Sequence, residues 1–223
     1  MGSVVIGVQC VAAHGGKCYA RELVAVAEEF HVPLTWLIGV SARDPMGNAN
    51  LYRNDYLHRI PSWHEIGLLL DLGNGSAGNE RPRSDLVRLG KEVLKQCHVK
   101  PTACWALKGD VDRSLLRALE DAGMLVLVAP EMPDGDAPVG LFRPSHERPS
   151  EPGDASLFRL SRPVIDLGAG PDDGALLQEI ERSPVTLLST RDDRDDTERL
   201  RKALQQCLDH GSSVRVMTAA IRD

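Results

Sequence analysis

Aromatic residues are scarce in this chain: Phe, Trp and Tyr together make up 4% of 223 positions, three of each. A core must therefore come from Val, Leu, Ile and Ala, and the 42% apolar fraction is enough to supply one. An excess of positive charge is also missing. Lys and Arg number 26 against 32 Asp and Glu, a formal net charge of −6, which excludes the basic surface that binds phosphate backbones. Nucleic acid is not an expected partner. Long apolar runs are absent: Met124-Leu125-Val126-Leu127-Val128-Ala129 is among the longest, and a membrane helix needs about 20 such residues. No membrane partner is expected either. The start, Met1-Gly2-Ser3-Val4-Val5-Ile6-Gly7-Val8, has no basic region, so no secretory signal is expected and a cytoplasmic location follows. The five cysteines are odd in number and irregular in spacing, which argues against a disulfide framework.

What is present is an alternation of strand-like and helix-like patterns. Strands are expected at 4–9, 34–40, 65–72, 102–107, 125–129 and 184–189, with weaker ones at 157–160 and 164–167 and a last one at 213–218. Helices are expected at 19–30, 51–60 (short, stopped by Pro61), from near Ser84 through Leu94, at 112–122 closed by Gly123, at 172–181 and at 193–208. Residues 130–155 hold six prolines and read as irregular surface chain. Parallel strands joined by helical crossovers form either a closed barrel or an open doubly wound sheet, and the pattern alone does not choose.

Residues 23–39 read Leu-Val-Ala-Val-Ala-Glu-Glu-Phe-His-Val-Pro-Leu-Thr-Trp-Leu-Ile-Gly, and Trp63-His64-Glu65-Ile66-Gly67 follows downstream. The first stretch is similar to a helix and "gly-val-pro-ala-thr-phe-phe-val-ile-gly" of the polysaccharide deacetylase family, the NodB-homology domain. The second resembles that family's "gly-his-glu-ile-gly". Residues 112–128 are similar to a later helix and strand of the family, and Asp209-His210-Gly211-Ser212-Ser213-Val214 to its closing helix-Gly-strand. The resemblance covers most of the chain. It implies an α/β fold, an irregular (β/α) barrel formed as one domain over 1–223; the alternative is the doubly wound open parallel sheet.

The resemblance also implies where chemistry should lie. Family members hold a divalent metal with one Asp and two His, while a second Asp serves as base and another His as acid. The matching positions here carry other groups. The first motif falls on Gly7-Val8-Gln9-Cys10-Val11, which puts Gln9 at the base and Cys10 at the metal-binding Asp. The paired imidazoles would fall on Leu69 and Gly73, the Arg of a third motif on Trp105, and the acid His on Ser189, while His64 matches a residue outside the metal shell. Gln cannot take a proton near neutral pH, and a thiolate suits softer ions. Neither a metal nor any other cofactor is expected, and standard metal-dependent deacetylation is not expected.

In a parallel barrel the C-terminal strand ends form the working face. Gln9, Cys10, His14, Asp71, Trp105, Lys108, Glu131, Asp166, Ser189 and Arg191 are thus candidates to line a pocket for a saccharide or small-molecule ligand. Of the tryptophans, Trp105 is the expected ligand contact, and Trp36 and Trp63 are assigned to the core. Cys10, His14 and Cys18 are metal-ligand types spaced by four, but Gly15-Gly16 interrupts a helix there and no fourth ligand is evident. Ser189, His14 and Asp166 are the residue types of a nucleophilic triad without a Gly-x-Ser-x-Gly elbow. Gly73-Asn74-Gly75-Ser76-Ala77-Gly78 fits a bare Gly-x-Gly-x-x-Gly, but the residues after it suit a loop better than a packed helix. Two functions remain in view: a non-catalytic deacetylase-like protein that binds a saccharide or a protein partner, and a hydrolase with a site rebuilt around Cys10 and His14.

Overall fold

A computed structural model describes residues 2–10, 18–40, 52–71, 83–108, 111–129, 140–171 and 173–221. Its contacts group into two compact units interleaved along the chain. The first takes the described residues within Met1–Trp36, Leu51–Glu65 and Pro163–Asp223, and the second those within Leu37–Asn50 and Ile66–Arg162.

The first unit is built on β1 (Ser3–Cys10), whose Val4–Cys10 residues are all buried. Such a run suits a strand covered on both faces. It pairs in parallel with β9 (Val185–Arg191) and with the short β10 (Ser213–Arg215), and β9 pairs in parallel with β8 (Val164–Asp166). Helix α1 (Ala20–Glu29) buries Leu23, Val24, Val26 and Ala27. A 3-10 turn at Leu167–Ala169 and helix α4 (Asp173–Arg182) follow β8. Helix α5 (Arg194–Asp209) begins where the Asp193 carboxylate accepts from Asp196 N, and it buries Leu200, Ala203, Leu204 and Cys207 along one stripe.

In the second unit β3 (Glu65–Asp71, leaving the first unit after Glu65), β4 (Ala103–Lys108), β5 (Val126–Ala129) and β7 (Phe158–Ser161) pair successively in parallel. The register of β3 on β4 requires Gly67, because a Cβ there would stand 2.9 Å from the Ala103 carbonyl oxygen. Helices α2 (Arg83–Gln96) and α3 (Arg113–Ala122) pack on each other. Asp112 caps α3 at Leu115 N, and Gly123 ends it at φ 80, as its position in the sequence predicts.

Three expectations need correction. Residues 140–142, assigned to irregular chain, form β6 (Gly140–Phe142), which runs antiparallel to β7 because the intervening segment folds straight back rather than crossing over. The helix at 51–60 is a π-helical turn at Tyr52–Leu57, with His58 N bonded to Arg53 O at 3.0 Å. The final strand stops at Arg215, and Met217–Ala220 form helix α6. The cause of that last change is Glu65. Its buried carboxylate accepts from Met217 N (2.8 Å), Thr218 N (3.2 Å), the Thr218 hydroxyl and the Thr35 hydroxyl (2.9 Å), so it caps α6 from a distance. Strand β2 (Thr35–Val40) starts at that Thr35.

Trp36 is fully buried as expected, but Trp63 is 45% exposed. One face of its ring is spent on His64, stacked at 3.8 Å, and the turn that carries it leaves the other face to solvent. His64 itself is buried and accepts from Leu34 N at 2.9 Å through Nδ1. Burial lowers its pKa to about 4.

Two measurements check this frame. Glu65→Ala leaves several buried donors without an acceptor and is expected to cost about 3 kcal/mol in urea denaturation. For His64 the folded pKa lies below the ordinary 6.5, so its contribution is complete above 6.5 and is lost as pH falls toward about 4. The expected loss is about 3 kcal/mol, and His64→Gln should flatten that part of the stability–pH curve.

Candidate functional site

Parallel pairing carries the predicted residues of the first unit to neighbouring strand ends. Gln9 lies in register with Arg191, and Ser189 with both Gly7 and Asp166. Paired residues on parallel strands face the same side and neighbours in sequence face opposite sides. Gln9, Ser189, Arg191 and Asp166 therefore share one face of the sheet, and Cys10 stands on the other with Val8 and Thr190. Sequence adjacency had suggested a single lining for Gln9 and Cys10; the pleat separates them.

Little of this set is open to solvent. Ser189 is 3% exposed, Gln9 9% and Cys10 0%. Arg191 is exposed. Asp166 is half-buried and caps the following 3-10 turn, accepting from Gly168 N at 3.0 Å. The remaining predicted residues belong to the second unit or lie outside the described residues. Asp71 and Lys108 are register partners at the ends of β3 and β4, and Trp105, in register with Leu69, is 2% exposed. His14, Glu131 and the 73–78 glycine run fall outside the described residues.

The aromatic π-helical turn supplies what the sequence reading missed. Tyr52 and Tyr56 are buried, with ring centroids 6.2 Å apart, and the Tyr56 hydroxyl makes a short hydrogen bond to Oδ2 of Asp192, itself 1% exposed. Asp192 N reaches the Gln9 carbonyl at 3.3 Å, which ties this cluster to the end of β1. Burial raises both phenol pKa values, and the nearby Cys10 thiol adds to the effect. Tyr56 is thereby held as a protonated donor to Asp192. The i,i+4 spacing of two tyrosines in an aromatic-poor chain was the available sequence signal.

One turn later Asp196 is fully buried and gathers the end of β9: Oδ2 accepts from Arg191 N (2.7 Å) and the Thr190 hydroxyl (3.1 Å), and Oδ1 pairs with Arg199 (3.0 Å). These carboxylates are used as structural acceptors. Among the described residues no three His, Cys, Asp or Glu side chains come together in a way that could hold a metal ion. In the first unit the ends of β1 and β9 present the Gln9 amide, the Cys10 thiol and the Ser189 hydroxyl.

The geometry can be set beside known structures. A protein from Mycobacterium smegmatis assigned to the polysaccharide deacetylases superposes with a TM-score of 0.65 at 15% identity, over 98% of this chain and 88% of its own. The fold is that of the polysaccharide deacetylases. The α/β expectation thus holds in its irregular-barrel form, with a mixed sheet, rather than as a doubly wound sheet. A family 4 carbohydrate esterase from Streptomyces lividans, in complex with acetate, matches with a TM-score of 0.56 at 9% identity, over 97% of this chain and 93% of its own. A family 4 pseudoenzyme from Bacillus anthracis matches with 0.56 at 12%, over 98% and 65%, and a mutant of that protein has restored enzymatic activity. One scaffold thus serves an esterase and a pseudoenzyme, so likeness of fold does not select between them. No protein-family model and no curated protein sequence matches the chain. Among the described residues no helix is long and apolar enough to cross a membrane.

The tyrosine cluster makes a graded prediction. Tyr56→Phe removes one hydrogen bond and should cost about 1 kcal/mol, whereas Tyr56→Ala opens a cavity and should cost about 3–5 kcal/mol, both read from urea midpoints.

Proposed function

We propose that this protein is a deacetylase-like protein without metal-dependent amidase chemistry, which acts by binding a saccharide. The observation that carries the reading is the end of β1: an amide and a buried thiol, with Tyr52, Tyr56 and Asp192 nearby, and among the described residues no donor set for a cation. Removing proton transfer alone costs a reaction of this kind about 10²- to 10⁴-fold. Arg191, exposed at the end of β9, is the group we assign to ligand contact, with Gln9 and Ser189 largely buried on the same face at neighbouring strand ends. An amide, a hydroxyl and a guanidinium are suited to sugar hydroxyls and acetamido oxygens. Cytoplasmic residence is part of the proposal, in keeping with cysteines that are odd in number and irregularly spaced.

The test combines elemental analysis of the purified protein, acetate release from N-acetylated chito-oligosaccharides, and calorimetric titration with the same sugars. The expected outcome is no stoichiometric transition metal, no acetate release, and binding weakened at least about tenfold, or ~1.4 kcal/mol, by Arg191→Ala with Gln9→Ala. A stoichiometric metal, or turnover abolished by Cys10→Ser, would instead establish the rebuilt hydrolase.

A further inference from the structure

A separate cluster of titratable side chains lies in the second unit. His146 sits on the segment between β6 and β7, and its two ring nitrogens each meet a carboxylate. Nε2 is 2.7 Å from Oε2 of Glu120 on α3, and Nδ1 is 3.1 Å from Oδ1 of Asp154. The other oxygen of Glu120 accepts from the backbone N–H and the hydroxyl of Ser156 (the latter at 2.8 Å), so both ends of the segment converge on one glutamate. His146 N also reaches Asp154 Oδ1, at 3.2 Å.

Between these anchors the segment is braced internally. Ser145 N donates to Glu151 O at 2.8 Å, Gly153 N to Arg143 O at 2.7 Å and Ala155 N to Pro144 O at 2.9 Å. A Cβ on Gly153 would come within 2.5 Å of Ser145, so the two arms of the segment touch. His146 and Ser156 fasten it to α3, and the Pro149 carbonyl accepts from the Arg159 guanidinium of β7 at 2.7 Å.

A neutral imidazole carries one N–H, and placing both nitrogens against carboxylates sets a lone pair against an oxygen anion. The arrangement is satisfied only by the imidazolium. Glu120 stands in the last turn of α3, where the macrodipole disfavours an acid and favours a cation. We propose that His146 is a pH-operated latch, which fastens its end of residues 143–156 to α3 when protonated and frees that end when neutral.

The charged groups around it are consistent with that role. Glu120 faces it from α3 with a side chain 17% exposed, and Asp154 faces it from its own segment at 75% exposure, so Glu120 is the stronger partner and Asp154 is largely screened. Of the other charges on the segment, Arg148 pairs with Glu151 at 3.2 Å, and Arg143 binds the carbonyls of Ala155 and Ser156 and lies over the Phe158 ring. Hydrogen bonding to Glu120 first, then to Asp154, raises the His146 pKa above 6.5. The latch's contribution is therefore complete below 6.5 and is lost as pH rises through the higher folded value.

NMR of the full chain across about pH 5 to 9 tests this by following the His146 ring nitrogens and the backbone amides of 143–156 together. The expected result is a His146 midpoint above 6.5, with the amides of Ser145, His146 and Ser156 moving at that same midpoint. Glu120→Gln should bring the midpoint down toward 6.5, and Asp154→Asn should bring it down less. A midpoint at or below 6.5, or amides that do not move while the ring titrates, overturns the latch. Both substitutions keep the imidazole and change a carboxylate to its near-isosteric amide. If Glu120→Gln does not fold, the wild-type titration and Asp154→Asn still decide.

Discussion

The carboxylate of Glu65 is where three distant parts of the first unit meet. It receives the Thr35 hydroxyl at the start of β2, stands at the start of β3, and caps the last helix through Met217 and Thr218. A carboxylate out of water is tolerable only where donors replace the lost solvent, and this one has several. The residues beside it act in the same way. His64 satisfies the backbone N–H of Leu34, and Gly67 lets β3 approach β4 closely enough to pair. The stretch Trp63-His64-Glu65-Ile66-Gly67 is therefore a fastening device, and its work depends on burial and hydrogen bonding rather than on any reaction.

That division lets the frame of a deacetylase-like fold stand independently of the chemistry its strand ends carry. The groups that hold the strands together are located at the beginnings of β2 and β3, in turns and in helix caps, while the groups that would run a reaction belong at the strand ends. Changing the second set leaves the first untouched. Near the end of β1, Tyr52 and Tyr56 lie close enough to Cys10 to feel its charge, and Asp192 and Asp196 serve as acceptors for Tyr56 and for the end of β9.

Much of the fold was legible in the residue pattern. The buried strand at the N-terminus, the helix capped by Asp112 and closed by Gly123, and the amphipathic helix begun by Asp193 all follow from local rules: apolar periodicity, an acceptor at the first turn, and a residue free to take positive φ. The site was legible only in part. Register brought Gln9, Ser189, Asp166 and Arg191 to neighbouring strands, whereas Trp105, chosen as a contact surface, is buried within its unit. Spacing pairs Tyr52 with Tyr56, but it does not name the Asp192 that Tyr56 meets or the Glu120 that meets His146, because those partners are distant in the chain.

The sequence alone determined the α/β alternation, the acidic and aromatic-poor character of the chain, and the identity of the side chains available at each strand end, since composition and periodicity are local properties. Tertiary structure alone decided which of those side chains meet. The reversal of β6, the helix begun at residues 217–218 under Glu65 in place of the expected strand, and the meeting of His146 with Glu120 arise from contacts between residues well separated in sequence. The physical reason is that a buried polar group takes whichever partner the packing delivers, and no nearest-neighbour rule specifies that partner.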